Sequence, residues 1–181
     1  MVAAKNTAAL EVWTIGHSTH PLDEFLAMLA FHGIEGVADV RRHAGSRKYP
    51  HFNPDALRSA LSKAGVEYVP LPELGGRRQP RADSRNTVWR NASFRGYADY
   101  METEAFQAGL ERLLALARRR RTAIMCAEAV WWRCHRSLIA DLLKARGVCV
   151  RHIANGGRSE IHPYTSAARL ENGELTYSPE R

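Results

Sequence analysis

The stretch Thr122-Ala123-Ile124-Met125-Cys126-Ala127-Glu128-Ala129-Val130-Trp131-Trp132-Arg133-Cys134-His135-Arg136 decides how the chain is read. Its first residues form a short apolar run between an arginine cluster and a polar loop, the pattern of a buried strand. Ser137-Leu138-Ile139-Ala140-Asp141-Leu142-Leu143-Lys144 follows with apolar residues at helical spacing, and Gly147 closes that helix. A thiol and a carboxylate, Cys126 and Glu128, therefore stand where a strand gives way to a helix. In open α/β sheets, ligands bind beyond the carboxyl ends of strands, so chemistry is expected here.

The same alternation recurs on both sides. Glu11 to Gly16 reads as a first strand running into His17-Ser18-Thr19. Pro21 suits a first helical turn, Leu22, Phe25, Leu26 and Leu29 follow at helical spacing, and Gly33 ends the helix. Gly36 to Val40 is a second strand with Arg41 and Arg42 at its carboxyl end. After the loop from His43 to Phe52, Asn53 and Pro54 open a helix carrying Leu57, Ala60, Leu61 and Ala64. Val66 to Leu71 is a third strand that Pro70 ends early. Pro72 to Arg95 shows no periodicity and includes the basic, turn-rich Gly75-Gly76-Arg77-Arg78-Gln79-Pro80-Arg81; loops this long are usually functional or disordered. One long helix is expected from about Tyr97 to Arg120. Val148 to Ile153 is a fifth strand in which Cys149 reads as a buried, inert thiol. Asn172-Gly173 between short alternating runs signals a hairpin. The fold class is α/β: a single three-layer domain over 11–181, with a mostly parallel sheet of about five strands flanked by helices, plus a C-terminal hairpin. Residues 1–10 read as a flexible N-terminal tail.

A chain of 181 residues suits one domain. No apolar run is long enough to cross a bilayer, and the start has no signal-peptide core. A cytoplasmic protein without a membrane partner is expected, with its three cysteines as free thiols. The net charge of +7, from 26 Lys and Arg against 19 Asp and Glu, favours phosphate-bearing partners without selecting one. The Arg118–Arg121 run is read first as cations complementing a helix dipole, and second as a nucleic-acid patch.

Parallel strands align their carboxyl ends along one sheet edge. That edge would carry His17 and Ser18, then Asp39 and Arg41, the basic loop after Leu71, Cys126 and Glu128, and His152. A thiol before a helix amino terminus gains thiolate character near Arg or His, which makes Cys126 the first candidate nucleophile and Glu128 a candidate acid or base. Arg136, near the free amides of the helix start, is a candidate anion binder beside Cys134 and His135. Asp39 is either a catalytic carboxylate or a structural partner of a neighbouring arginine. Tyr49, His51 and Phe52, among Arg47 and Lys48, suit nucleobases and phosphates, or form an ordinary packed loop. Trp131 and Trp132 clamp a planar ligand or cover the core. Cys126 and Arg133 enclose six residues, one more than a phosphate-wrapping thiol loop has, and the cysteine spacing lacks the paired pattern of structural zinc. No metal and no cofactor is called for.

Trp13-Thr14-Ile15-Gly16-His17-Ser18, Asp39-Val40-Arg41, Tyr49-Pro50-His51-Phe52-Asn53, Leu74-Gly75-Gly76, Gly96-Tyr97, Cys126-Ala127-Glu128, Cys134-His135-Arg136 and His152-Ile153 together resemble the bacterial and archaeal domain-of-unknown-function family numbered 488. The resemblance spans about residues 11 to 165. It implies a compact α/β domain with an unassigned enzymatic activity and no stated substrate. Its candidate site maps to His17, Ser18, Asp39, Arg41, Cys126, Glu128, Cys134, His135 and Arg136. The doubled Trp131-Trp132 departs from the family pattern and bears on the shape of the pocket wall. The leading expectation is a cysteine-dependent enzyme acting on a phosphate-bearing substrate such as a nucleotide or nucleic acid. In it Cys126 is nucleophile, Glu128 is acid or base, and His17 and Asp39 are auxiliary or orienting groups. The alternatives are a non-catalytic nucleic-acid-binding module and a metal-binding domain.

Overall fold

The computed structural model describes residues 9–180, so most of the expected N-terminal tail lies outside the described residues. In chain order the elements are β1 (Glu11–Gly16), α1 (Leu22–Phe31), β2 (Gly36–Asp39), α2 (Pro54–Lys63), β3 (Glu67–Pro70), α3 (Ala92–Tyr100), α4 (Glu104–Arg119), β4 (Thr122–Cys126), α5 (Arg136–Ala145), β5 (Cys149–Ile153), β6 (Ser159–Ile161), and the pair β7 (Arg169–Glu171) and β8 (Glu174–Thr176). The main sheet runs β3-β2-β4-β1-β5-β6. Its first five strands are parallel, and β6 pairs antiparallel with β5 at the edge. No described helix is long and apolar enough to cross a membrane.

Alternation along each strand sends side chains to two buried faces. Val12, Ala38, Ile124 and Val150 pack with Leu110, Leu113, Leu138 and Ile139 of α4 and α5. Trp13, Ile15, Val37, Ala123 and Met125 pack with Phe25, Leu29, Leu57 and Leu61 of α1 and α2. The result is the expected three-layer α/β domain. Asn172 and Gly173, both at positive φ, make the tight turn between β7 and β8.

β4 lies between β1 and β2. The connections leaving β1 and β2 run to helices on one face of the sheet, and the connection leaving β4 runs to α5 on the other. Loops that diverge in this way open a crevice at the strand ends. Backbone pairing continues into the crevice, where His17 N–H donates to the Cys126 carbonyl at 2.8 Å and Ser18 N–H to that of Ala127 at 3.0 Å.

Two expectations are corrected. The long helix from Tyr97 to Arg120 is two helices, broken at Met101–Thr103. Thr103 caps α4 by accepting from Phe106 N–H at 3.3 Å, a local signal masked by helical spacing on both sides. The break leaves α3 free to turn Asp99, 2% exposed, toward the 72–91 loop. There Asp99 accepts from Arg81 N–H, the Ser84 hydroxyl and the Asn86 amide at 2.6–2.8 Å, so the loop is anchored rather than loose. Cys149 opens β5 instead of lying in its middle and is half-buried, because the chain enters the sheet one residue later than its valines suggest. The sheet also gains a sixth strand, β6, whose three exposed residues carry no period that a sequence reading could use.

Gly16 faces Cys126 in register, and a Cβ added there would stand 1.8 Å from the Glu128 carbonyl oxygen. The turn after β4 crosses over β1 only because that side chain is missing. Gly16→Ala is expected to cost about 3 kcal/mol of unfolding free energy through overpacking against backbone; urea denaturation checks this, and a loss under about 0.5 kcal/mol would show that the turn moves freely.

Candidate functional site

Arg136 opens α5 and is 1% exposed. Its Nε donates to Cys134 Sγ at 3.2 Å, Nη1 to Thr14 Oγ1 at 3.2 Å and Nη2 to the Glu128 carbonyl at 2.6 Å. Among the described residues no Asp or Glu carboxylate lies within the 4.0 Å ion-pairing distance of it. A buried cation without a counter-charge is costly, and the acidic groups beside it are two thiols, Cys134, which its Nε contacts, and Cys126.

Cys134 Sγ is built to hold that charge. Besides Arg136 Nε, it receives the Arg136 main-chain N–H at 3.4 Å and lies 3.3 Å from Cys126 Sγ. Burial opposes its thiolate, but the Cys126 S–H bond and the Arg136 cation outweigh burial and hold Cys134 below the ordinary thiol range. Cys126 goes the other way. Burial pushes its thiol well up, and the bond to Cys134 reinforces the shift, so it keeps its proton. Cys126 is 3% exposed behind Cys134, which is half-buried. These opposite directions favour Cys134 as the partner of the Arg136 charge, where the sequence reading favoured Cys126. Glu128 contributes through its main-chain carbonyl, while its side chain is exposed.

The Arg136–Thr14 contact continues inward. Thr14 Oγ1 lies 2.6 Å from His152 Nδ1, His152 Nε2 lies 2.8 Å from His162 Nδ1, and His162 Nε2 lies 2.8 Å from Asp141 Oδ1. Asp141, fully buried on α5, also accepts from the Thr165 and Tyr177 hydroxyls. With Asp141 as carboxylate each ring donates toward it, so Thr14 donates to His152 and is left accepting from Arg136. Burial, His162 and Arg136 hold His152 down to about 2, so that ring is neutral. Trp131 stacks on His152 at 4.4 Å and covers the array, whereas Trp132 is 54% exposed. His152 was expected at the open strand edge; it points into the layer beneath α5.

On the other side of β4, Asp39 is consumed by structure. It accepts from Arg41 Nε at 2.8 Å and Nη2 at 2.7 Å, and from the Tyr68 hydroxyl at 2.5 Å. Arg41 spends a further bond on the Phe52 carbonyl at 2.8 Å. Of the two readings of Asp39, the geometry is that of the structural partner. His17 stacks on Phe52 at 4.2 Å, bonds the Ser18 carbonyl through Nδ1 at 3.0 Å and turns Nε2 toward Arg41 Nη1 at 3.4 Å. Burial, with help from the Arg41 charge, holds His17 down to about 4. Ser18 has a positive φ of 46°, an uncommon conformation for a non-glycine residue.

A cavity of about 680 Å³ opens over these groups. It is lined by His17, Ser18, Arg41, Tyr49, Cys126, Glu128, Cys134 and His135 among the expected residues, and by Arg42, Arg77, Arg133, Phe94 and Tyr97 besides. Arg136 and Asp39 lie beneath it. Phe52 is fully buried in the core, and His51 is held by the His20 carbonyl at 3.0 Å, so only Tyr49 of that aromatic trio faces the cavity. His135 is fixed by Nε2 to the Val40 carbonyl at 2.9 Å. Four arginines against one glutamate make the lining strongly basic. The signal for Arg77 and Arg133 in sequence was weak, since both sit in loops that carry other arginines. Of the Arg118–Arg121 run, Arg119 and Arg120 pair with Glu67, and Arg121 with Glu11. Among the described residues no group of three or more His, Cys, Asp or Glu is arranged to hold a metal ion.

The lowered His17 value has a consequence for stability. Because the folded chain protonates His17 near 4 and the unfolded chain near 6.5, this contribution is full above pH 6.5 and declines as pH falls from 6.5 toward 4. The decline is up to about 3 kcal/mol. Denaturant unfolding across that window should be correspondingly flatter for His17→Gln; parallel curves for the two proteins would contradict the assignment.

Neither the curated proteins nor the solved structures searched contain a significant match. The family described as domain of unknown function DUF488 matches residues 21–143. That span reaches from the first helix into α5 and includes Asp39, Arg41 and the whole Cys126–Arg136 stretch, and on this match the chain belongs to the DUF488 family.

Proposed function

We propose that this protein is a cysteine-dependent enzyme acting on a phosphate-bearing substrate such as a nucleotide, with Cys134 as the nucleophile. The observation that carries the reading is the fully buried Arg136 whose nearest acidic partner is a thiol at a cavity floor. A thiolate is the nucleophilic form of cysteine, and this one is held in place before any substrate binds. The cavity's volume falls within the range of small-molecule sites, about 300–1,000 Å³. Arg42, Arg77 and Arg133 are exposed at the cavity lining and suit phosphate oxygens, while Tyr49 and Phe94 offer faces for a base.

In this scheme the Cys134 thiolate attacks an electrophilic centre of the bound substrate as the bond to the leaving group breaks and that group departs with a proton from water; water then attacks the adduct, the bond to sulfur breaks, and the product and the Cys134 thiolate are released. His17 is neutral at physiological pH, with Nδ1 donating to the Ser18 carbonyl and Nε2 accepting from Arg41 at the cavity wall. Arg41 orients His17, and Asp39 orients Arg41. Arg136 holds the nucleophile's charge without touching the substrate. The nucleic-acid-binding module is the weaker alternative, because three of the four arginines at 118–121 are spent on Glu67 and Glu11.

Alkylation by iodoacetamide at pH 6 should modify Cys134 at least ~10-fold faster than Cys149, and Arg136→Met should remove that advantage. Nucleoside phosphates should slow the reaction, and a variant lacking Arg42, Arg77 and Arg133 should lose about tenfold or more of that protection. Alkylation that accelerates only in the ordinary thiol range, or that no phosphate compound slows, would sink the proposal.

A further inference from the structure

Cys126 and Cys134 are both free thiols, and their sulfurs are 3.3 Å apart. They come from different elements: Cys126 ends β4, and Cys134 lies in the turn that enters α5. Their depths differ too. Cys134 is half-buried and borders the cavity, whereas Cys126 is 3% exposed directly behind it. A small oxidant entering the cavity therefore meets the Cys134 sulfur first, with a second sulfur already in contact. Cys149, on β5, does not line the cavity.

We infer that the pair is a peroxide-reactive site, in which a hydroperoxide oxidises Cys134 and Cys126 resolves the product as an intramolecular disulfide. The inference rests on the Cys134 thiolate of the proposed function and not on that function's substrate. The steps balance. The thiolate attacks the terminal peroxide oxygen, an S–O bond forms, the O–O bond breaks, and the alkoxide or hydroxide leaves and takes a proton from water. The Cys126 thiol then attacks the sulfenic sulfur, its proton leaves with the hydroxyl as water, and the S–S bond closes. One hydroperoxide is reduced by two electrons, and two thiols are oxidised by two. A dithiol reductant restores the pair by exchange. Arg136 Nε and its main-chain N–H, already directed at Cys134, remain available to a sulfenate oxygen.

The test treats the reduced full chain with hydrogen peroxide, alkylates the remaining thiols under denaturing conditions and maps the peptides by mass spectrometry. The expected result is a chain mass lower by about 2 Da before alkylation, and after it a Cys126–Cys134 cross-linked peptide and an alkylated Cys149. Cys126→Ser should give no disulfide and a Cys134 sulfenic acid that dimedone traps. Cys134→Ser should consume peroxide at least ~10-fold more slowly than the unmodified chain. Full alkylation of Cys126 and Cys134 after treatment would overturn the inference, as would a disulfide that uses Cys149. If Cys134 alkylates rapidly at pH 6 and yet no disulfide forms, this inference fails while the nucleophile assignment stands. If peroxide closes the pair and no phosphate compound protects Cys134, the reverse holds.

Discussion

A guanidinium with almost no exposed surface and, among the described residues, no carboxylate beside it is the constraint on which the rest of this site depends. Arg136 opens α5 and lies against β1, β4 and the turn between β4 and α5. Its charge is tolerated because three neutral or anionic groups converge on it, and only one of them, Cys134, can carry the opposing charge. The consequence runs outward. A thiolate at Cys134 accepts from the Cys126 S–H, which keeps Cys126 neutral, and the Glu128 carbonyl is fixed by Arg136 Nη2. The loop crossing Gly16 thereby becomes the floor of the cavity.

The buried array beneath α5 extends the same electrostatic arrangement. Asp141 is a carboxylate with no exposed surface, and it is connected to Arg136 through His162, His152 and Thr14. The two charges stand at opposite ends of a neutral, directional chain of hydrogen bonds, and each end is further satisfied by local donors or acceptors. On the far side of β4, Asp39 and Arg41 neutralise each other with Tyr68 and Phe52 in attendance, and this pair holds His17 at the cavity wall. Two buried charge systems thus flank one strand, and the cavity opens between them.

Much of this was legible in the sequence, for physical reasons. Strands and helices alternate with distinct apolar periods, so the α/β class and the expected hairpin followed from local pattern. The placement of His17, Arg41 and Cys126 at one edge followed from parallel pairing. What was illegible depended on direction and depth. A thiol near a helix amino terminus describes Cys134 as well as Cys126, and only the position of the Arg136 side chain separates them. His152 lies one residue from the end of β5, and alternation turns it under α5 instead of toward the cavity. Phe52 looks like a stacking residue beside Tyr49, yet it fills the core beneath His17. The α3–α4 break turns on one capping threonine, which a longer helical period overrides on paper but not in the fold.

The most direct measurement is a pH titration of thiolate ultraviolet absorbance in the native protein, alongside Cys134→Ser and Cys126→Ser. The expected result is a thiolate signal that persists well below neutral pH, disappears in Cys134→Ser and survives in Cys126→Ser. A signal that appears only in the ordinary thiol range, or one that Cys134→Ser leaves unchanged, would contradict the assignment of the Arg136 counter-charge to Cys134.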